Sequence, residues 1–262
     1  APLGDGLATA APQRAMSVEA ELYGRTSVLT TQGRAALWSA LPLACQLDDW
    51  HLAYASSTDG SSLASLYRRT RNTSPLLLVC QDNRRGLFGG FITRPLTSSG
   101  GRSQRNAAAL GGAGRGEGWL FSFAPSSPGE PAEPEIWRWS RANDSFCTAE
   151  PTGLGLGGGG AGGGYGLWLD PQLASGTSEP CETYRNPAPL CTTASGSRSA
   201  HARFGAHTRL PPMRRPSPAP SRQLACGADL LCVEVWALGA NSAREMRRSI
   251  DAGRSPTAGR RP

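Results

Sequence analysis

The stretch "GTSEPCETYRN" of this 262-residue chain sets Ser178, Cys181, Glu182, Thr183 and Asn186 close together, hydroxyls and an amide around one thiol. A cysteine nucleophile needs a depressed thiol pKa and a base to take its proton. His51, in "DDWHLAYASS", is the candidate base, because His201 and His207 both lie in a low-complexity stretch. A Cys181–His51 dyad therefore requires the fold to join two distant positions. Ser178 does not stand in a G-x-S-x-G elbow, so a serine hydrolase is not indicated. Turn chemistry reads the same residues more simply, since Ser, Thr and Asn side chains bond nearby backbone. A loop held in that way can still form a binding surface.

Three acids sit among apolar neighbours: Asp82 in "CQDNRRG", Glu117 in "GEGWLF" and Glu234 in "CVEVW". A buried carboxylate is costly unless paired, so each should meet an arginine, a backbone N–H or water. Three carboxylates together could also hold a hard cation, although nothing in their spacing requires it. No CxxC pair is present, and no structural zinc site or other cofactor is expected.

The run "LGLGGGGAGGGYGLWLD" invites a phosphate-loop reading. That reading fails on chemistry, because all 27 basic residues are arginine and no lysine exists to reach a phosphate. A kinase lysine, a Schiff-base lysine and a Ser-Lys dyad are excluded with it. The glycines also lead into Tyr165, Leu167, Trp168 and Leu169 rather than into a helix, which is the composition of a strand.

Charge is distributed unevenly. Residues 117–193 hold nine acids against three arginines, net −6, whereas 194–223 hold six arginines and no acid, net +6. From residue 240 onward six arginines stand against Glu245 and Asp251, net +4. These basic segments could meet an anionic membrane or an acidic partner. No aromatic residues are interleaved with the tail arginines and no zinc-finger or RNP-like motif is present, so nucleic-acid binding is not expected. Of the seven cysteines, Cys80 and Cys232 sit within apolar runs as small core residues, which fits a reducing compartment. Neither a run of transmembrane length nor a signal-peptide pattern is found.

These side chains need elements to position them, and the hydrophobic pattern supplies mostly strands. Folded sequence is expected from about Leu37, with "LWSALP" a short helix stopped by Pro42. "DDWHLAYASS" alternates as a strand with Trp50, Leu52 and Tyr54 on one face. A helix follows, capped by Ser61 or Ser62, with Leu63, Leu66 and Tyr67 inward. "LLLVC" and "LFGGFI" read as a hairpin about the turn "QDNRRG", the glycines leaving room for a neighbour. "WLFSF", "EIWRWS", "SFCTAE", residues 154–157 and residues 165–169 are further strands, and residues 170–190 read as loop. The last strand, Asp229 to Leu238, alternates with Leu231, Val233, Val235 and Ala237 on one face and Leu230, Cys232, Glu234 and Trp236 on the other. The expected fold is α+β and strand-dominated: two antiparallel β-sheets packed as a sandwich, with short flanking helices. A weakly structured extension over 1–36, a domain over 37–239 with a basic insert at about 191–223, and a disordered or fraying-helical tail over 240–262 complete the expected organisation.

In order, "DWHLAYASSTDGSSLASLYRR", "PLLLVCQDNRRGLFGGFI", "GEGWLFSF", "WRWSRANDSFC", "GLGLGGGG…YGLWLD", "GTSEPCETYRNPAPL" and "VEVWAL" resemble the TLDc domain of the oxidation-resistance protein family. The departures are a long Gly-Ala loop before Glu117, the extended glycine run and the basic insert, each of which lengthens a connection. The resemblance implies a non-enzymatic interaction module tied to oxidative-stress resistance, which binds peripheral subunits of the vacuolar-type proton ATPase. It also implies a cytoplasmic protein recruited to acidic-compartment membranes, and it allows a mitochondrial association. It carries over no catalytic residues. Two other readings stand beside it: a thiol-dependent antioxidant enzyme using Cys181, and an adaptor for an anionic membrane surface acting through the arginine-rich segments.

Overall fold

A computed structural model describes residues 22–96, 118–123, 133–158, 164–186, 190 and 226–239. The glycine run at 159–163, most of the Gly-Ala loop, Glu117, the basic insert, the tail, His201 and His207 lie outside the described residues.

Among the described residues, eleven strands form one continuous hydrogen-bonded network that folds over on itself. In chain order they are β1 (Leu22–Tyr23), β2 (Trp50–Ala55), β3 (Leu76–Asp82), β4 (Leu87–Ile92), β5 (Trp119–Phe123), β6 (Pro134–Arg138), β7 (Cys147–Glu150), β8 (Gly153–Leu156), β9 (Leu167–Leu169), β10 (Ser175–Ser178) and β11 (Cys226–Leu238). The order across the path is β6-β5-β4-β3-β11-β10-β9-β8-β7, with β2 on the other side of β11 and β1 pairing parallel to β2. β11 is the seam. Its first residues pair with β10, and from Leu230 onward it pairs with β3 and then also with β2. One strand thus belongs to both sheets, which stack as the expected antiparallel sandwich.

Period-two alternation builds the core. Along β3, Leu76, Leu78 and Cys80 face the space between the sheets, where they meet Leu154, Leu156, Leu167 and Leu169 from β8 and β9. The alternate residues Leu77 and Val79 face outward with Phe91, Trp119, Phe121 and Trp236. That second apolar face is covered by Val28, Leu29 and two helices, α1 (Thr31–Ala40) and α2 (Leu43–Gln46). Two more helices follow β2: α3 (Ser56–Asp59) and α4 (Leu63–Arg69), the latter placing Leu63, Leu66 and Tyr67 in the sandwich interior as its spacing requires. Among the described residues no helix is long and apolar enough to cross a membrane.

Several local expectations are corrected. Regular structure is already present ahead of Leu37, in β1 and in α1, which begins at Thr31 because Thr30 Oγ1 accepts from the Gly33 N–H at 3.0 Å. Ser62 occupies the N-cap position of α4, but its side chain makes no capping bond. Tyr54 leaves the face of Trp50 and Leu52: Tyr54 pairs with Val235 and Leu52 with Trp236, so Ala53 is bulged out and the alternation flips. A second irregularity between Leu230 and Cys232 turns Leu230 toward the interior and leaves Leu231 exposed, opposite to the strict alternation. β10 lies where a loop was expected, because "SGTS" carries no bulky residue and is recruited by its neighbours β9 and β11.

Candidate functional site

The loop after β10 folds over the ends of β8 and β9, and three side chains hold it there. Ser178 Oγ donates to Gly166 O at 2.5 Å and accepts from Leu190 N–H at 2.8 Å. Asn186 spans the loop, its Oδ1 accepting from Cys181 N–H at 3.1 Å and its Nδ2 donating to Glu179 O at 2.9 Å. Thr183 Oγ1 accepts from Gly158 N–H at 3.1 Å, and its proton faces Gly158 O at 2.7 Å and Asn143 Oδ1 at 2.8 Å. All three residues are buried. Each hydroxyl or amide is engaged by backbone, but only Asn186 bonds within its own loop as turn chemistry expects; the backbone partners of Ser178 and Thr183 lie 12 or more residues away. Glu182 is exposed, and its carbonyl accepts from Ser140 Oγ at 2.6 Å.

Cys181 lies beneath this loop at 5% exposure. Its sulfur fills the space that Gly157 and Gly166 leave: a Cβ built at either glycine would approach Sγ to 2.8 and 3.0 Å. Gly157 also takes φ +67°, so glycine is required there twice over. Burial pushes the Cys181 thiol up, only partly offset by the backbone N–H groups of Tyr184, Thr183 and Gly166. That is the opposite of an activated thiol. Its neighbours share the trend, with the Cys147 thiol pushed up to about 12 and the Tyr184 phenol raised as well, both chiefly by burial.

The fold does not join Cys181 to His51. The Gly166 position touches both Cys181 Sγ and Leu120 of β5, whereas His51 sits on β2 opposite Ala237 and stacks on Tyr23 at 4.5 Å. β11, β3 and β4 stand between β2 and β5. Four strand spacings amount to about 19 Å.

The acids are separate as well. Asp82 Oδ1 closes the β3–β4 turn by accepting from Arg84 N–H at 2.9 Å and Gly86 N–H at 2.7 Å. Glu234 accepts from Ser27 N–H (2.7 Å), Ser27 Oγ (2.9 Å), Thr26 Oγ1 (2.8 Å) and Trp236 Nε1 (3.1 Å). Both carboxylates are fully buried. Asp82 pairs with Leu230, four residues along β11 from Glu234, a separation of about 13 Å. Glu117 lies outside the described residues, and among those described no His, Cys, Asp and Glu residues group as a metal site would need.

Beside the loop, Phe91, Ile92, Arg94, Gly118, Phe146 and Tyr184 help to line a cleft of about 20 Å³. That is room for a water and not for a metabolite. Two features escaped the sequence reading. Asn143, from the turn before β7, is the second polar anchor of Thr183, and only its turn-forming residue type hinted at this. Leu43 and Leu47 stand 79% and 90% exposed at the two ends of α2, a pair whose i, i+4 spacing was visible in "PLACQL".

Among the described residues the architecture is a strand-dominated β-sandwich whose loop after β10 commits its polar side chains to hydrogen bonds within the domain. The TLDc domain pattern matches residues 22–201, and the chain belongs to that family. It is 36% identical to nuclear receptor coactivator 7 of Gallus gallus over 147 residues, which is 56% of this chain and 14% of that protein. It is 34% identical to oxidation resistance protein 1 of Homo sapiens over 138 residues, covering 52% of this chain and 14% of the relative. With oxidation resistance protein 1 of Xenopus tropicalis the identity is 31% over 175 residues, 66% of this chain and 18% of the relative. The chain therefore spans about a seventh of the first two relatives' length.

Proposed function

We propose that this chain is a non-enzymatic TLDc interaction module that contributes to oxidative-stress resistance and binds peripheral subunits of the vacuolar-type proton ATPase. It acts from the cytoplasm at the membranes of acidic compartments. The observation that carries the reading is the state of the loop around Cys181: its hydroxyls and amide are spent on backbone, and its thiol is buried with a raised pKa. A surface organised this way presents a fixed shape and no reactive group. Membership of the TLDc family and the relatives named oxidation resistance protein 1 support the link to oxidative stress.

The test is a pull-down from cytosol and solubilised membranes with the wild-type chain and with Cys181→Ser, each checked for folding, followed by a peroxide-consumption assay on both. Recovery of ATPase subunits by both proteins, without peroxide turnover, is the expected result. Turnover that Cys181→Ser abolishes, with no ATPase subunit recovered, would replace the proposal with a thiol enzyme.

A further inference from the structure

Residues 24–30 run as a strap from β1 to α1, and one carboxylate holds them to the outer apolar face. Glu234 of β11 is fully buried. Its Oε1 accepts from Ser27 N–H at 2.7 Å and Ser27 Oγ at 2.9 Å, and its Oε2 from Thr26 Oγ1 at 2.8 Å and Trp236 Nε1 at 3.1 Å. Thr26 Oγ1 accepts in turn from the Val28 and Leu29 N–H groups at 3.2 and 2.9 Å, and both side chains join the outer cluster. The four donors are neutral, and three of them belong to the strap. The buried charge therefore rests on hydrogen bonds that are lost when the strap lifts.

Ser27 is exposed as a residue, yet its hydroxyl is engaged by this buried carboxylate. Arg25, also exposed, stands two positions before it in "GRTSV", and protein kinases select acceptor serines by such flanking charge. A phosphate on Oγ removes one donor and sets about −1.5 to −2 of charge beside Glu234, whose Oε1 is 2.9 Å from that oxygen. The other neighbour of Oγ, Cys232 Sγ at 3.4 Å, supplies no cation. Arg25 belongs to the strap and travels with the phosphate, so it cannot hold the strap down.

We propose that Ser27 is a phosphorylation site and that its phosphate releases the strap from Glu234. In the transfer, Ser27 Oγ bonds to the γ-phosphorus of ATP as the bond from that phosphorus to the ADP oxygen breaks, and the hydroxyl proton passes to the kinase's catalytic base. The kinase takes Ser27 from the lifted strap, and the phosphate then shifts the population toward that state. Release draws Val28 and Leu29 off the outer cluster and removes the Thr30 cap from its place before α1.

Hydrogen exchange tests this on the full chain, made with phosphoserine at position 27, unmodified, and as Ser27→Ala. The same phosphorylated and unmodified pair is made with Glu234→Gln. The expected result is that phosphate raises exchange over residues 22–40 severalfold while β3, β4 and β5 stay protected. Ser27→Ala, which removes the donor without adding charge, should give a smaller rise, and Glu234→Gln should shrink the effect of the phosphate. Unchanged exchange in the phosphorylated chain overturns the proposal, as does a rise that Ser27→Ala matches, which decides the matter even where Glu234→Gln fails to fold. Protection lost throughout the sandwich also overturns it. Finally, the unmodified chain is incubated with ATP and a serine kinase that requires arginine two residues before its acceptor, and the phosphate is mapped by mass spectrometry. Phosphate at Ser27 is expected, and a chain that takes none there overturns the assignment of the site.

Discussion

At the scale of single residues, burial rather than reactivity governs the thiols. Cys80, Cys147 and Cys181 all have pKa values raised above their ordinary 9.0, with burial the leading cause. A raised folded pKa contributes stability that is fully present below the unfolded value and is lost as pH climbs toward the folded one. Above about pH 9 the unfolded thiols ionise while the folded ones stay protonated, and stability falls by at most about 1.4 kcal/mol per pH unit for each thiol. Urea midpoints measured from about pH 8 to 10.5 should decline, and Cys80→Ala and Cys181→Ala should each flatten that decline. A slope that neither substitution alters would show that other groups dominate. The residue types of the loop were legible in the sequence: Ser178, Thr183 and Asn186 all bond to backbone, Asn186 within its own loop as a turn residue does. Their partners were not, because Asn143 and Gly158 lie 40 and 25 residues away and no spacing rule reaches that far.

At the scale of elements, Gly90 of "LFGGFI" sets how closely the sheets approach. A Cβ at Gly90 would lie 2.8 Å from Leu156 Cδ1 of the facing sheet and 3.0 Å from Trp119 O. Gly90→Ala is expected to destabilise the domain by about 1–3 kcal/mol through overpacking. Adding Leu156→Ala should cost less than the sum of the two single changes, since the pair shares one contact. Strict additivity in urea melts would contradict this account of the packing. Most strands were legible because alternation and apolar runs are local signals. The faces of Tyr54, Leu230 and Leu231 were not, because bulges arise from pairing with a partner strand and leave no mark in either strand alone. β10 was hidden for a related reason: Ser175, Gly176, Thr177 and Ser178 have little strand character and are held by the neighbours on each side.

At the scale of the whole molecule, the two sheets cannot come apart independently, because β11 bonds to β10 through its first residues and to β3 and β2, on its two edges, through the rest. Unfolding followed by far-ultraviolet circular dichroism and by tryptophan fluorescence should therefore give one coincident transition. Two separated transitions would mean that the sheets are distinct folding units. The position of β11 has a further consequence when the chain is made. The ribosome releases residues in order, so β2, β3 and β10 all emerge before the strand that joins them. Until Cys226–Leu238 is released, the nascent polypeptide holds half-sheets with unpaired edges, the kind of surface that recruits chaperones or associates with other chains. A premature stop codon anywhere before residue 226 would leave those edges permanently open, and even a short truncation at the end of the domain should yield an aggregating product instead of a smaller folded one.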